Sequence, residues 1–419
     1  MKRLPSVCSS PILLGSGRPD MRVLFLSQRV PYPPNRGDKI TTWRLVERMR
    51  RSHEVRIAAF AHDDGDREAA AHLNSIGLST FAVDHDERAA KLRSLPLIFG
   101  GTPLTLGVFG SRAMQAIVDR EAAQADLGYA YSSSMGAFLL SHAKLARVMH
   151  FAELDSDKWR QYALRSRPPM RWVYGRESRT LLDFERRVAH SFSENVFCTP
   201  LEQRIFQERI PGAPSMVLRN GVDLAWYTPR PEAAEPRHLV FTGVMNYLPN
   251  VDGCEFFAHE VLPLLRPRFP DVRFTIVGSQ PTGRVMRLAE LPGVTVTGFV
   301  NDTRDWLARA SISVAPLRIA RGIQNKVLEA LAMGLPVVGT SSATQGIEGL
   351  PGRDFLLADS AEEQARAIER LFQDPAEARA LGARGRSFVE AQYDWERVFE
   401  PLDRLLERLA PEATPTARP

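Results

Sequence analysis

The sequence predicts an α/β protein made of two successive doubly wound units, and three observations carry that prediction. From Met21 onward, short apolar runs alternate with amphipathic stretches of helical period. The alternation halts at a Pro-rich stretch, "PRPEAAEP", and starts again with "RHLVFTGVM". The runs are apolar throughout rather than at every second residue, the pattern of parallel strands covered on both faces. At 419 residues, 44% of them hydrophobic and 25% charged, the chain can fill two proper cores.

In the first half the strand "RVLFLS" precedes a loop and the helix "DKITTWRLVERMRR". "EVRIAAF", the helix "REAAAHLNSI" and "LSTFAV" follow, then the strands "ADLGYAY" and "ARVMHFAEL". A long basic helix, "RWVYGRESRTLLDFERRVAHSF", and the strand "NVFCT" complete the set. Leu95–Gly110, "LPLIFGGTPLTLGVFG", has neither period and is expected to be an apolar loop. In the second half, a helix from Val251 and the strands "VRFTIVG" and "VTVTGFV" follow the opening strand. Next come "DTRDWLARA", "SISVAP", a helix beginning near Gly322, "PVVGT" and "DFLLA", and two further helices close the pattern. Such a pair of units implies a cleft with ligands at the carboxyl ends of the strands.

Composition narrows the function. The 54 basic residues exceed the 49 acidic ones by five, a mild excess that suits an anionic ligand or membrane surface but is no nucleic-acid signature. Cys8, Cys198 and Cys254 have no metal or redox spacing, which points to a reducing, cytoplasmic compartment without a disulfide framework. No apolar run approaches a membrane span. Pro5, Ser9, Ser10 and Pro11 break any signal-like centre, so residues 1–20 are expected to be a disordered extension, and 411–419 a disordered tail.

One stretch, "LRIARGIQNKVLEALAMGLPVV", places Arg318, Arg321 and Lys326 in the loop and first turn of a helix. Cations are disfavoured there unless an anion offsets them. Gly322, Lys326 and Glu329 would share one helix face by their spacing. Lys326 could neutralise a diphosphate, and Glu329, one turn deeper, could accept two ribose hydroxyls. The plainer alternative is a surface Lys–Glu pair, which leaves the glycine loop and Arg318 without a role. Gly243, Gly278 and Gly298 end strands where backbone could approach a ligand, although glycine there is also ordinary turn chemistry.

The pattern G-x-x-x-K-x-x-E-A-x-A-x-G-x-P-V, with "RNGVD" at Arg219–Asp223 and "FTG" at Phe241–Gly243, resembles the retaining two-domain GT-B glycosyltransferases, the glycosyl transferases group 1. "PYPPNRGDKI", "LDSDKW", "FCTPLEQ" and "FTGVMNYLPNVDG" are similar to the branch associated with PEP-CTERM/exosortase exopolysaccharide clusters. The resemblance implies two Rossmann-like domains: an acceptor-side domain at 21–198, and a nucleotide-sugar domain at 199–392. A C-terminal helix at 393–410 would cross back to the first. It implies transfer of a sugar, with retention and without a metal, from a UDP- or GDP-type donor to a glycan or lipid-linked glycan hydroxyl.

Site roles follow from the same resemblance. Glu329 matches the second Glu of the family's E-x7-E motif, and Arg321 stands where the first would fall. Val244, Met245, Asn246 and nearby Tyr247 and Asn250 stand where the family usually has an Arg and a Lys after "FTG", so Lys326 with Arg318 or Arg321 would supply the missing charge. Donor contacts are expected from Gly37, Gly243, Asn246, Gly278, Phe299, Arg318, Arg321, Gly322, Ile323, Gln324, Asn325, Lys326 and Glu329. Phe299 would lie by the base, and Gly322–Gln324 by the sugar. Asp155 is the candidate acceptor-side group, with Glu153 second and His150 inside its strand; Asp155 would also serve as the N-cap of the next helix. The Asp155–Asp157 "DSD" mimics a D-x-D metal motif, but that motif belongs to a single-domain architecture, and no catalytic metal is expected.

The basic helix Arg171–Arg187, with Trp172, Val173, Leu181, Leu182 and Phe184, could rest on an anionic leaflet, and Leu95–Gly110 is a second place for such contact. Its other reading is a core helix with a solvated Arg face. A dinucleotide oxidoreductase is disfavoured, because "SQRVPYPPNRGD" has no G-x-G-x-x-G fingerprint. A nucleotide-sugar-binding protein without transfer activity, or a nucleotide-sugar 2-epimerase of the same fold, remains as an alternative.

Overall fold

The computed structural model describes residues 20–320 and 322–411. The expected extension and tail, apart from Asp20 and Pro411, and the candidate Arg321 lie outside the described residues. The chain forms two compact units, Met1–Leu218 with Phe399–Pro419, and Arg219–Val398.

Each unit is built on one parallel sheet. In the first, β1 (Arg22–Ser27), β2 (Glu54–Ala61), β3 (Thr80–Asp84), β4 (Leu127–Tyr131), β5 (Ala146–Ala152), β6 (Glu194–Phe197) and β7 (Met216–Val217) run in the order 3-2-1-4-5-6-7. In the second, β8 (His238–Thr242), β9 (Arg273–Val277), β10 (Val294–Val296), β11 (Ile312–Ala315), β12 (Val337–Gly339) and β13 (Leu356–Leu357) run in the order 10-9-8-11-12-13. Both orders reverse direction beside their first strand. Val23 of β1 pairs with Val55 on one side and Leu127 on the other, and Leu239 of β8 with Phe274 and Ile312. The reversal splays the two following loops apart and opens a crevice at the strands' carboxyl ends.

The strands read as apolar runs because helices cover both their faces. All five residues of β8 and the last five of β1 are buried. Phe241, Phe257 and Phe274 fill the second core, while Phe184, Phe197 and Phe206 fill the first, each worth about 2–3 kcal/mol of burial. Local chemistry sets the helix starts: Ser360 and Glu363 form a reciprocal cap for Ala361–Gln373, and Asp374 caps Pro375–Gln392.

Three expectations need correction. The units divide at 218/219 and 398/399, not at 198/199 and 392/393. The helix Pro200–Arg209 packs on β6, and two-residue β7 pairs with β6 as the sheet's last strand, so both belong to the first unit. At the other end, Tyr393 is wholly buried in the second core, and only the helix Glu400–Leu409 joins the first unit. There it buries Leu402, Leu405 and Leu406, and Arg48 grips Asp403 through two hydrogen bonds of 3.0 and 2.5 Å.

Leu95–Gly110 is not a loop: it holds a 3-10 turn, Leu95–Phe99, and a helix, Leu104–Phe109. The Glu177 carboxylate accepts the backbone N–H groups of Leu104 (2.7 Å) and Thr105 (2.9 Å), capping that helix from a distant element. Neighbouring Arg176 donates to the carbonyls of Leu97, Gly100 and Thr102. Finally, the long helix Met170–Ser191 buries Leu181, Leu182 and Phe184 in the core, so these three cannot face a leaflet.

Candidate functional site

The second unit's crevice lies between the loops that leave β8 and β11. Gly243 follows β8 directly and Gly278 follows β9, and their backbones touch. A Cβ on Gly278 would stand 1.6 Å from the Gly243 carbonyl oxygen, and Gly278 has φ +152°, so only glycine fits. The chain then turns through Val244–Tyr247 into the helix Leu248–Phe256, with Met245 N–H bonded to the Ser279 carbonyl at 2.8 Å.

After β11 the chain passes Arg318 and reaches Gly322, whose φ is +62° and whose carbonyl crowds Gly346. The helix begins three residues later than expected, at Asn325, with extended Gln324 at its N-cap. Gly322, Ile323 and Gln324 therefore form the turn before the helix, and the expected face shared by Gly322 and Lys326 does not exist. Lys326 and Glu329 do share a face, at i and i+3.

Lys326 turns back toward β8. Its Nζ donates to Asn250 Oδ1 at 2.6 Å and lies 4.7 Å from the centre of the Phe241 ring. Asn250 Nδ2 donates to the Val244 carbonyl at 2.9 Å, which fixes the amide with its oxygen toward the lysine. A Cβ on Gly243 would be 3.5 Å from Lys326 Nζ, so the ammonium sits directly beneath the glycine turn. Burial lowers the Lys326 pKa to about 8, against the raising influence of Cys254 and Glu329. Burial likewise raises the Glu329 carboxyl above its ordinary value, opposed by a hydrogen bond from Tyr227 and by Lys326. An under-solvated ammonium and a carboxyl, one turn apart beside open backbone, are equipped to receive an anion and hydroxyls.

The other expected donor contacts are dispersed. Arg318 makes a two-point ion pair with Asp252 (2.6 and 3.0 Å) and lies over Phe256, so its charge is already balanced. Asn246 donates to Gln280, and Asn325 accepts from Asn220 at 3.2 Å. Phe299 lies 69% exposed in the loop after β10. Gly37 is in the first unit, where it opens the helix Gly37–Met49; the buried pair Lys39–Asp66 (2.6 Å) ties that helix to Asp64–Ser75. The sequence marks Asn250 only as a neighbour of the "FTG" loop and does not mark Phe241 or Tyr227 as site residues, since their roles arise only when β8 and the Asn325 helix come together.

In the first unit, His150 lies buried inside β5, as expected, with Nδ1 2.8 Å from the Tyr129 hydroxyl; burial lowers its pKa to about 3. Asp155 is the first residue of the helix Asp155–Arg165 rather than its N-cap, which is Leu154. Its carboxylate instead accepts from Ser133 Oγ and Lys158 Nζ, both at 2.5 Å, and Lys158 also reaches Glu153 at 3.1 Å. Behind it, burial first and then the Asp155 charge raise Glu185 to about 8. Asp157 pairs with Arg160, and among the described residues no three His, Cys, Asp or Glu side chains are grouped to hold a metal ion. Nor is any described helix long and apolar enough to cross a membrane.

Residues 236–374, which hold β8, Asn250, Lys326 and Glu329, match the family Glycosyl transferases group 1. The chain is 31% identical over 196 residues to a phosphatidyl-myo-inositol mannosyltransferase of Propionibacterium freudenreichii, covering 44% of this chain and 48% of that protein. It is 28% identical over 160 residues to a GDP-mannose-dependent monoacylated alpha-(1-6)-phosphatidylinositol monomannoside mannosyltransferase of Corynebacterium glutamicum, covering 35% and 42%. The chain thus spans about half the length of the curated relatives it matches. Among solved structures, sucrose-phosphate synthase of Thermosynechococcus elongatus superposes with a TM-score of 0.68 at 17% identity, over 93% of this chain and 98% of that one. Anabaena HepE, solved with UDP and glucose, gives 0.68 at 16%, over 92% and 99%. The chain therefore has the two-domain GT-B fold, and residues 236–374 of its second unit carry the sequence pattern of the glycosyl transferases group 1.

Proposed function

We propose that the chain is a glycosyltransferase that takes a nucleoside diphosphate sugar in its second unit and passes the sugar to an acceptor hydroxyl with retention at the anomeric carbon. The observation that carries this reading is Lys326, held by Asn250 beneath the Gly243–Gly278 backbone inside the group 1 segment. Two of the relatives act as mannosyltransferases by name, and one solved neighbour binds UDP and glucose, which supports a nucleotide-linked donor.

In the reaction, the bond from the anomeric carbon to the β-phosphate oxygen breaks and its electron pair leaves with the nucleoside diphosphate. The acceptor oxygen attacks from the same face, and its proton passes to the departing phosphate. Lys326, in the first turn of the Asn325 helix, meets the charge that develops there, the task a divalent ion performs in other transferases. Glu329 holds the ribose hydroxyls. Asp155, already ionically balanced by Lys158, orients the acceptor rather than serving as an obligatory base. We place the reaction in cell-surface or exopolysaccharide glycan synthesis at the cytoplasmic side of a membrane.

A thermal-shift screen against UDP, GDP and their sugars tests the reading. At least one nucleotide should stabilise the protein, and the matching nucleotide sugar should slowly release free nucleotide when no acceptor is present. Stabilisation without release would favour a binding protein; no stabilisation by any nucleotide would sink the proposal.

A further inference from the structure

A second site lies in the first unit, where the helices Asp155–Arg165 and Met170–Ser191 diverge around a cavity of about 520 Å³. Residues 158–176, which join these helices, contain six basic residues and no acidic one. Four arginines are among the residues that line the cavity: Arg160, Arg171, Arg179 and Arg209. Arg160 is paired with Asp157 at 2.7 Å. Among the described residues, no carboxylate pairs with Arg171, Arg179 or Arg209. Arg176, by contrast, is spent on three carbonyls and Arg186 on Asp183.

The same rim exposes apolar side chains. Leu164 is 65% exposed, Trp172 53%, Met170 42% and Tyr162 38%. The 3-10 turn bearing Phe99, 91% exposed, is fastened to the helix at Arg176, one turn beyond Trp172. Leu and Met in water beside unbalanced arginines gain nothing from a soluble phosphate. A bilayer surface satisfies both: phosphodiester groups meet the arginines, Trp and Tyr settle at headgroup depth, and Leu and Met reach the acyl boundary.

We propose that this helix pair docks on an anionic phospholipid surface, with a lipid phosphate entering the arginine-lined cavity. Gly175 keeps that cavity open: a Cβ there meets nothing nearer than Ala163 Cβ at 4.0 Å, so a longer side chain could fill the space without a clash. The inference does not depend on the transfer reaction.

Co-sedimentation of the full chain with vesicles of phosphatidylglycerol or phosphatidylcholine tests it. The protein should bind the first and not the second, with an affinity that falls as salt rises. Arg171→Glu with Arg179→Glu should weaken vesicle binding at least tenfold, given about one factor of five per basic residue near such a surface. Trp172→Ala and Gly175→Met should each weaken it severalfold while preserving the circular dichroism and melting profile. Equal binding to both lipids, binding to neither, or full binding by the double Glu variant would overturn the proposal. So would a site that takes inorganic phosphate or a single-stranded oligonucleotide, loses it in the same variant, and ignores vesicles.

Discussion

Lys326 Nζ is 2.6 Å from Asn250 Oδ1, and the same amide donates to the Val244 carbonyl at 2.9 Å. One asparagine therefore joins the glycine turn after β8 to the helix that follows β11. The lysine it holds is poorly solvated, which makes it a strong partner for an incoming anion and sets a pH dependence.

Free Lys326 loses its proton near pH 8, below the ordinary lysine value. A bound diphosphate favours the charged form, so binding above that pH must take up a proton. Nucleotide affinity should be flat from pH 6 to 7.5 and fall about tenfold per pH unit above 8. Calorimetry in buffers of different ionisation enthalpy should record the uptake. A flat profile to pH 9.5 would contradict the assignment.

Asn250→Ala removes both bonds of the crosslink. A hydrogen bond to a charged group contributes about 1.5–3 kcal/mol, so nucleotide affinity should drop about tenfold or more, with a lower melting temperature. The two effects are read separately by titration and thermal unfolding; unchanged affinity would remove Asn250 from the site.

Gly278→Ala places a methyl group 1.6 Å from the Gly243 carbonyl oxygen. The two strand ends must separate, and a loss of at least about 3 kcal/mol is expected. Gly283→Ala, whose Cβ meets only the end of Arg287 at 3.9 Å, should be nearly neutral and serves as the control. Chemical denaturation of the two variants distinguishes close backbone contact from general intolerance of alanine.

Glu329→Gln preserves the shape beside Tyr227 but removes the carboxylate's capacity to accept two hydroxyls. Affinity for a nucleoside diphosphate should fall about tenfold while that for inorganic pyrophosphate stays within about twofold. Equal losses for both ligands would assign Glu329 to supporting Lys326 instead of to the ribose.

Much of this was legible in the sequence because both sheets are parallel and covered, which leaves apolar runs that mark β1, β8 and β11 directly. Lys326 and Glu329 were legible for a local reason: helical spacing puts them on one face. What escaped depends on distant partners. The Leu104–Phe109 helix starts where the Glu177 carboxylate meets its N–H groups, 73 residues away in the chain. Two-residue β7 has no periodicity to detect, and it moved the unit boundary by twenty residues. Gly322 reads as a helix start in sequence, yet its φ of +62° makes it a turn. Arg318 looked like a ligand cation because nothing in the sequence announces its pairing with Asp252.

The most direct test of the central claim is equilibrium binding of UDP and GDP to the native protein and to Lys326→Ala. The account predicts binding of at least one nucleotide by the native protein and a loss of at least tenfold in the variant, without loss of fold. Equal affinity in the two proteins, or no binding of either nucleotide by the native chain, would contradict it.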